Sequence, residues 1–388
     1  MKVPIARTSL TDTEIESVLG PLRSGWLVQG PKVREFEEKW SKFTGARQSI
    51  AVTSCTSALH LSLAALGLGP EDEAIVPAFT WISTANVVEH LGAKVVFCDI
   101  DLETFNIDIQ QIESKITSKT KAILPVHLFG LSADMPPIIE LAKKHNLWVV
   151  EDAACGFGAK YKGEHVGTLG DTGCFSFHPR KAITTGEGGM VTTNDNALAE
   201  KIRRLRDHGA AMTDLQRHLG ARPYLLADHP DAGYNQRMTD LQGALGSAQM
   251  DRAKEIVSER QNLAQRYDDA FAALDWLRSP FKHANYDHGY QSYPCMFMPD
   301  AANSSSIRER NIKRNDWMDD LQKKGISTRP ATHAVHMLSF YREKYELNPE
   351  DFENAYMADQ CSISLPLFHG MKKEEQDFVI DQVLKYQP

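Results

Sequence analysis

Between residues 50 and 193, apolar β-branched runs alternate with helix-like patterns, and this alternation leaves the chain few folds to choose from. A run starting at Ile50 passes into a helix pattern that ends near residue 66. AIVPAF (74–79), KVVFCDI (94–100), AILPVHL (122–128), LWVVEDA (147–153), CFSF (174–177) and GMVTT (189–193) follow. Helix patterns fall between most of them, near 83–91, 108–116 and 136–145. Strands that are apolar on both faces and separated by helices predict an α/β fold, with a mostly parallel sheet covered by helices. Too little chain joins CFSF to GMVTT for a crossover, so simple βαβ winding is predicted to break there. Ligands of such sheets gather beyond the carboxyl ends of the strands. Thr80, Trp81, Asp152 and the stretch from His178 to Lys181 each follow a strand run, so they are predicted to meet on one edge.

The flanking segments are helical. Thr11 and Glu14 have capping-box spacing, and Ile15, Val18 and Leu19 make the apolar stripe of a first helix. Gly25, Gly30 and Pro31 break the chain before an amphipathic helix carrying Val33, Phe36 and Trp40. Trp26 reads as a packing anchor or as a cover over a site. A helix pattern at 195–207 and a loop-rich stretch at 208–238 lead into one long helical pattern over 239–270. That pattern reads as a hinge, giving a large domain over 1–250 and a smaller α+β domain over 251–388. The smaller domain has a strand at 290–298, helices at 307–324 and 372–386, and a polar stretch at 301–306 that reads as a turn.

Composition excludes several classes. The formal net charge of -8 argues against a nucleic-acid-binding protein, although it leaves room for a local basic pocket. The six cysteines are scattered without a C-x-x-C pair, so neither a zinc ribbon nor a redox motif is expected, and no metal is assigned. Reduced cysteines, the absence of a signal-peptide core and the absence of a membrane-length apolar run lead to a cytoplasmic expectation.

The chemistry centres on residues 174–190, CFSFHPRKAITTGEGGM. Lys181 follows a buried-looking strand and precedes a glycine-rich turn. A neutral lysine amine attacks aldehydes to give a Schiff base, whereas a surface loop lysine does nothing of the kind. Ser54, Cys55, Thr56 and Ser57 open a helix after a strand, where hydroxyls cap free amides and the same amides attract an anion. Asp152 ends an apolar strand, either as a helix cap or as the partner of a ring nitrogen. Pyridoxal phosphate needs one of each: a lysine for its aldehyde, an acid for its pyridine nitrogen, an anion site and a flat face for its ring. Lys181, Asp152, the hydroxyl run with Ser176, and Trp81 offer that set in order.

With these residues in view, the chain resembles the DegT/StrS-type pyridoxal-phosphate nucleotide-sugar aminotransferases, which have the aspartate aminotransferase fold (PLP fold type I) and a central sheet of seven-stranded type. The resemblance runs through SGWLVQGPKVREFE, VTSCTSALHLSLAALG, DEAIVPAFTWISTAN, FCDIDLETFNID, PVHLFG, VVEDAACGFGA, GCFSFHPRKAITTGEGGM, GYNQRMTDLQGALG and SLPLFHGM. It implies that Lys181 forms the Schiff base with the cofactor and then moves a proton, and that Asp152 pairs with the pyridine nitrogen. It also implies that Trp81 stacks on the ring and that Thr56, Ser57 and Ser176 hold the phosphate. Asn235 would reach the phosphate of a neighbouring subunit, which requires a homodimer with shared sites. Arg237 is a candidate for a substrate carboxylate or phosphate, and His178 either touches substrate or orients its loop. Cys155 stands among the cofactor contacts where relatives often carry Gln, a departure that bears on how the Schiff base is tuned. The stretch GISTRPATHAVH resembles GDP-perosamine synthases and makes Arg329, His333 and His336 candidates for the nucleotide sugar, with a structural role for the histidines as the alternative.

The implied activity is transfer of an amino group from glutamate to a nucleotide-linked 4-keto-6-deoxy sugar for surface polysaccharide or glycoside synthesis. Pyridoxamine 5'-phosphate would be the intermediate form and 2-oxoglutarate the by-product. A 3-keto sugar substrate, sugar dehydration or epimerisation, and a cofactor-binding regulator without turnover are the alternatives. Relatives that dehydrate sugars replace the lysine with histidine, and Lys181 argues against that branch.

Overall fold

The computed structural model describes residues 1–212, 224, 226–299 and 306–388. The first helix, α1 (Asp12–Ser24), starts at the expected capping box of Thr11 and Glu14, and α2 (Pro31–Thr44) buries Val33, Phe36 and Trp40. Trp26 lies against Gly30, where a Cβ would sit 2.0 Å from its indole nitrogen, so the packing reading describes it.

The alternating runs then build the sheet. In chain order they give β1 (Gln48–Val52), α3 (Cys55–Leu66), β2 (Glu73–Pro77), β3 (Phe79–Thr80), α4 (Ser83–His90) and β4 (Lys94–Cys98). Next come α5 (Ile109–Ile112), β5 (Thr120–Ile123), α6 (Met135–His145) and β6 (Trp148–Asp152). The short β7 (Lys160–Tyr161) and β8 (Glu164–His165) precede β9 (Thr172–Ser176) and β10 (Gly189–Thr193). Seven of these strands form one sheet in the order β1-β10-β9-β6-β5-β2-β4. The pairs β9–β6, β6–β5, β5–β2 and β2–β4 are parallel, and β10 runs antiparallel to both neighbours. The break in winding therefore falls where the short connection predicted it. Six strands point the same way, so their carboxyl ends share one edge.

Two patterns end earlier than their periodicity suggests. The helix expected over 108–116 stops being α-helical after Ile112, where Ser114 bonds back to the Gln111 carbonyl at 2.8 Å. The run from 122 is regular strand only to Ile123, before Pro125, which has no N–H to give, and it meets β6 again through a Val126–Asp152 bridge.

Beyond the sheet come α7 (Asn196–Arg206), α8 (Asp240–Met250) and α9 (Ala253–Phe271). The single helix expected over 239–270 is thus two helices. Arg252 leaves helical geometry at φ -105° and ψ 7°. Its guanidinium is drawn to Glu14 at 2.9 Å and to His369 Nε2 at 2.5 Å, and these contacts accompany the break.

The C-terminal part has β11 (Leu277–Arg278), β12 (Tyr286–Asp287), β13 (Tyr293–Phe297), α10 (Ile307–Lys323), β14 (His333–Ala334), α11 (Ser339–Tyr345), α12 (Glu353–Cys361), β15 (Ser362–Leu365) and α13 (Lys373–Leu384). The strands β11, β13 and β15 form a second sheet over a core of Tyr267, Phe271, Tyr293 and Trp317. A division at residue 250 falls between α8 and α9, yet Val3 packs into this second core while Val335, Tyr341 and Ala358 pack into the core of the large sheet. The turn expected over 301–306 lies outside the described residues except for Ser306, which caps α10. Among the described residues, no helix is long and apolar enough to cross a membrane.

Candidate active site

The common carboxyl edge of the sheet collects most of the residues singled out in the sequence. Asp152 closes β6, with only 4% of its surface exposed. Its backbone is clamped on both sides, because its N–H donates to the Pro125 carbonyl at 2.9 Å and its carbonyl accepts from His127 N at 3.0 Å. Its carboxylate accepts from Thr84 Oγ1 at 2.6 Å and from the Ala154 N–H at 3.1 Å. The short Thr84 bond is typical of an ionised acceptor. Among the described residues no cation lies within ion-pair distance of Asp152, and burial pushes its carboxyl above the ordinary aspartate value.

Glu151, one residue earlier, faces the opposite side of the strand and is wholly buried. It accepts from His127 Nε2 at 2.8 Å and from the amides of Gly167, Leu169 and Gly170 at 2.6–2.8 Å. His127 Nδ1 accepts from the Ala133 N–H, so its proton sits on Nε2. Burial pushes the Glu151 carboxyl up, but His127 and the amides more than offset it and hold it below the usual glutamate range.

Lys181 lies on the loop after β9, its amide donating to the His178 carbonyl at 2.8 Å. Its Nζ is 3.1 Å from Cys155 Sγ. Lys181, Cys155 and Ser176 line one small pocket walled by Trp40, Phe157 and Phe177. The Lys181 loop is held from outside by Thr8, whose hydroxyl donates to the Pro179 carbonyl at 3.2 Å, and by Gln291, whose amide donates to the Arg180 carbonyl at 3.2 Å. His178 is half-buried; its Nδ1 accepts from the Arg180 N–H, and burial lowers its basicity.

The hydroxyl run opens α3 as a cap and more. Ser54 Oγ accepts from the Ser57 N–H at 3.1 Å, Thr56 Oγ1 donates to Ser83 Oγ at 3.0 Å, and the Ser57 hydroxyl lies 2.8 Å from Thr53 Oγ1. The chain at β10 passes so close that a Cβ on Gly189 would meet the Ser54 carbonyl at 2.4 Å. Cys55 reaches back to Asp152, 4.0 Å away, which ties the start of α3 to the end of β6.

Trp81 and the 235–237 segment lie further out, near the ends of β3 and β1, whereas Arg329 pairs with Ser364 of β15 in the second sheet. Trp81 is 54% exposed and meets the His333 ring edge-on at 5.5 Å, because β14 pairs with β3 and sets His333 opposite Thr80. Asn235 is exposed on a segment that runs beside the end of β1, where Thr53 N donates to the Gln236 carbonyl. Arg237 is bound to Asp207 at 2.7 Å. Arg329 is exposed and bonds the Thr328 carbonyl. His336 is not brought to the edge: it is fully buried against Phe352, and burial lowers its basicity to about 4. Thr84, Glu151, His127 and Gln291 are the supporting residues the sequence reading passed over. The contacts that tie Thr84 to Asp152, His127 to Glu151 and Gln291 to Arg180 span 68, 24 and 111 residues, so no local pattern marked them.

These residues fit pyridoxal phosphate. A buried carboxylate with hydroxyl and amide donors and, among the described residues, no cation within ion-pair distance suits a protonated ring nitrogen. The first turn of α3 with its hydroxyls suits a phosphate, and Lys181 supplies the amine.

A family model described as the DegT/DnrJ/EryC1/StrS aminotransferase family matches residues 8–384. A GDP-perosamine synthase of Caulobacter vibrioides is 38% identical over 99% of this chain and 98% of its own. A spore coat polysaccharide biosynthesis protein of Bacillus subtilis is 38% identical over 98% of this chain and 96% of its own. A Streptococcus pneumoniae protein named as a sugar aminotransferase, solved in its PMP form, superposes with a TM-score of 0.90 at 30% identity and covers 98% of both chains. The same protein has also been solved in PLP and apo forms. The fold, the site and these likenesses agree: the chain belongs to the DegT/DnrJ/EryC1/StrS family and is a pyridoxal-phosphate-dependent sugar aminotransferase.

Proposed function

We propose that this aminotransferase moves an amino group from glutamate to a nucleotide-linked 4-keto-6-deoxy sugar. The convergence of Lys181, Asp152 and the start of α3 on one strand edge carries the reading. Its substrate class is supported by GDP-perosamine synthases from two organisms at 38% and 36% identity over nearly the whole chain.

Bound pyridoxal phosphate supplies an electron sink that stabilises negative charge on the carbon losing its proton. Lys181 supplies the amine that holds the aldehyde between turnovers, and its Nζ then carries a proton between the two carbon positions. Asp152, whose charged form Thr84 and the Ala154 amide favour against the effect of burial, holds the ring-nitrogen proton in place. Glu151 and His127 lock the strand end that presents Asp152. Thr56, Ser57 and Ser176 bind the phosphate, and Trp81 covers one ring face. Asn235 reaches the phosphate of a second subunit in a homodimer. Arg237, Arg329, His333 and His178 surround the route by which donor and sugar enter. Donor and acceptor use the same site in turn, which gives ping-pong kinetics.

The direct test is Lys181→Ala. The variant should lose both the visible absorbance of the bound cofactor and the stoichiometric release of 2-oxoglutarate from glutamate. Full multiple-turnover activity would sink the role of Lys181. Mass spectrometry of products from GDP-, UDP- and dTDP-linked keto sugars then tests the substrate class.

A further inference from the structure

We propose that Cys155 is a peroxide-sensitive modification site whose oxidised sulfur is captured by Lys181 Nζ as a sulfur–nitrogen cross-link. The pair is already in contact, with Sγ 3.1 Å from Nζ and both side chains lining one pocket. Redox-sensitive cysteines are exposed and set among cations. All six cysteines are free, and four of them, Cys98, Cys174, Cys295 and Cys361, are buried. The two with partial exposure, Cys55 and Cys155, both belong to the active site.

Their surroundings separate them. Cys55 Sγ points at the Cys174 carbonyl, 3.4 Å away, and at the Asp152 carboxylate. Burial and then that negative charge push its thiol well up, which leaves it slow to react. Cys155 instead faces the Lys181 amine, and the charge of Arg260 in α9 reaches it at longer range. Arg260 is buried and held by the carbonyls of Tyr290 and Gln291, the second of which belongs to a residue of the pocket wall.

The chemistry balances with hydrogen peroxide as the oxidant. The thiol and one peroxide give a sulfenic acid and one water; sulfur is oxidised and peroxide reduced. The unprotonated Lys181 amine then attacks that sulfur, the S–OH bond breaks, and a second water leaves carrying the displaced hydroxyl and one amine hydrogen. Two equivalents of an external thiol reverse the link, returning free Cys155 and Lys181 with one external disulfide. While the link stands, Lys181 cannot hold an aldehyde. A sulfur at this position therefore makes the enzyme sensitive to oxidant in a way that an amide side chain would not.

The test treats the full chain with hydrogen peroxide, with and without bound pyridoxal phosphate, and maps peptides by mass spectrometry. The expected product joins the Cys155 and Lys181 peptides and is lighter than their sum by two hydrogen atoms. It disappears after dithiothreitol treatment, is absent in Cys155→Ser, persists in Cys55→Ser, and is suppressed when the cofactor occupies Lys181. Recovery of Cys155 as a free thiol or as sulfinic acid, with Lys181 unlinked, would overturn the proposal. So would an equal yield of the link with the cofactor bound. Because the readout is a peptide mass, it does not depend on which sugar the enzyme accepts.

Discussion

Replacing Thr84 by Val tests whether the supporting shell of Asp152 sets cofactor affinity. The change keeps the shape and removes one hydroxyl, the donor of the 2.6 Å bond to a carboxylate that is 4% exposed. A hydrogen bond to a charged group contributes about 1.5–3 kcal/mol. At about 1.4 kcal/mol per tenfold, pyridoxal phosphate should bind about 10- to 150-fold more weakly. The cost falls on binding because only the ionised carboxylate pairs with a ring cation. The pH dependence follows. Burial raises Asp152 in the folded chain above its unfolded value. Without a cation partner, its contribution to stability is therefore present below the ordinary aspartate value and lost as pH rises through the raised value. Cofactor binding shows the opposite dependence, weakening as pH falls and Asp152 takes up its proton. Thr84→Val should move that weakening to higher pH, whereas Thr84→Ser, which keeps a hydroxyl, should stay near the parent. Spectroscopic titration of the cofactor across pH reads both effects. An affinity and pH limb unchanged in Thr84→Val would refute the reasoning.

Two further perturbations probe the frame. Glu151→Gln sets an amide NH₂ against either the His127 Nε2–H or one of three backbone N–H donors; leaving a buried donor unpaired should cost about 1–3 kcal/mol. Since the Glu151 carboxyl is held below its ordinary value, the stability gap to the parent should be full at neutral pH and shrink as pH falls through that depressed value, which denaturation series at several pH values would show. Gly189→Ala puts a methyl 2.4 Å from the Ser54 carbonyl, so the start of α3 or β10 must shift, at about 1–3 kcal/mol or more. A lowered melting temperature with weakened phosphate binding is expected, and a variant indistinguishable from the parent in both would count against the close approach.

Much of this architecture was legible because it is local. The alternating runs correspond to all seven main-sheet strands and most of their helices, and the short link to GMVTT located the one antiparallel reversal. The capping box of α1 and the apolar stripe of α2 were read from spacings of three and four residues. Boundaries were less legible. The periodicity across 239–270 carried straight through Arg252, because nothing local marks a residue bound to Glu14 and His369, each more than 100 positions away.

The sequence by itself determined which residue types follow which strands, and hence that a lysine, an acid, hydroxyls and an aromatic would share one edge. Strand direction sufficed for that, because it is set by chain order and crossover length. Only the tertiary structure decided what each side chain touches. Thr84 meets Asp152 across 68 residues, Cys155 meets Lys181 across 26, and His127 meets Glu151 across 24. It also separated two histidines three residues apart, leaving His333 exposed beside Trp81 and burying His336 against Phe352. The reason is physical: periodicity reports which face of an element is apolar. Hydrogen-bond partners and burial depend on which other elements close over that face, and long-range packing alone fixes that.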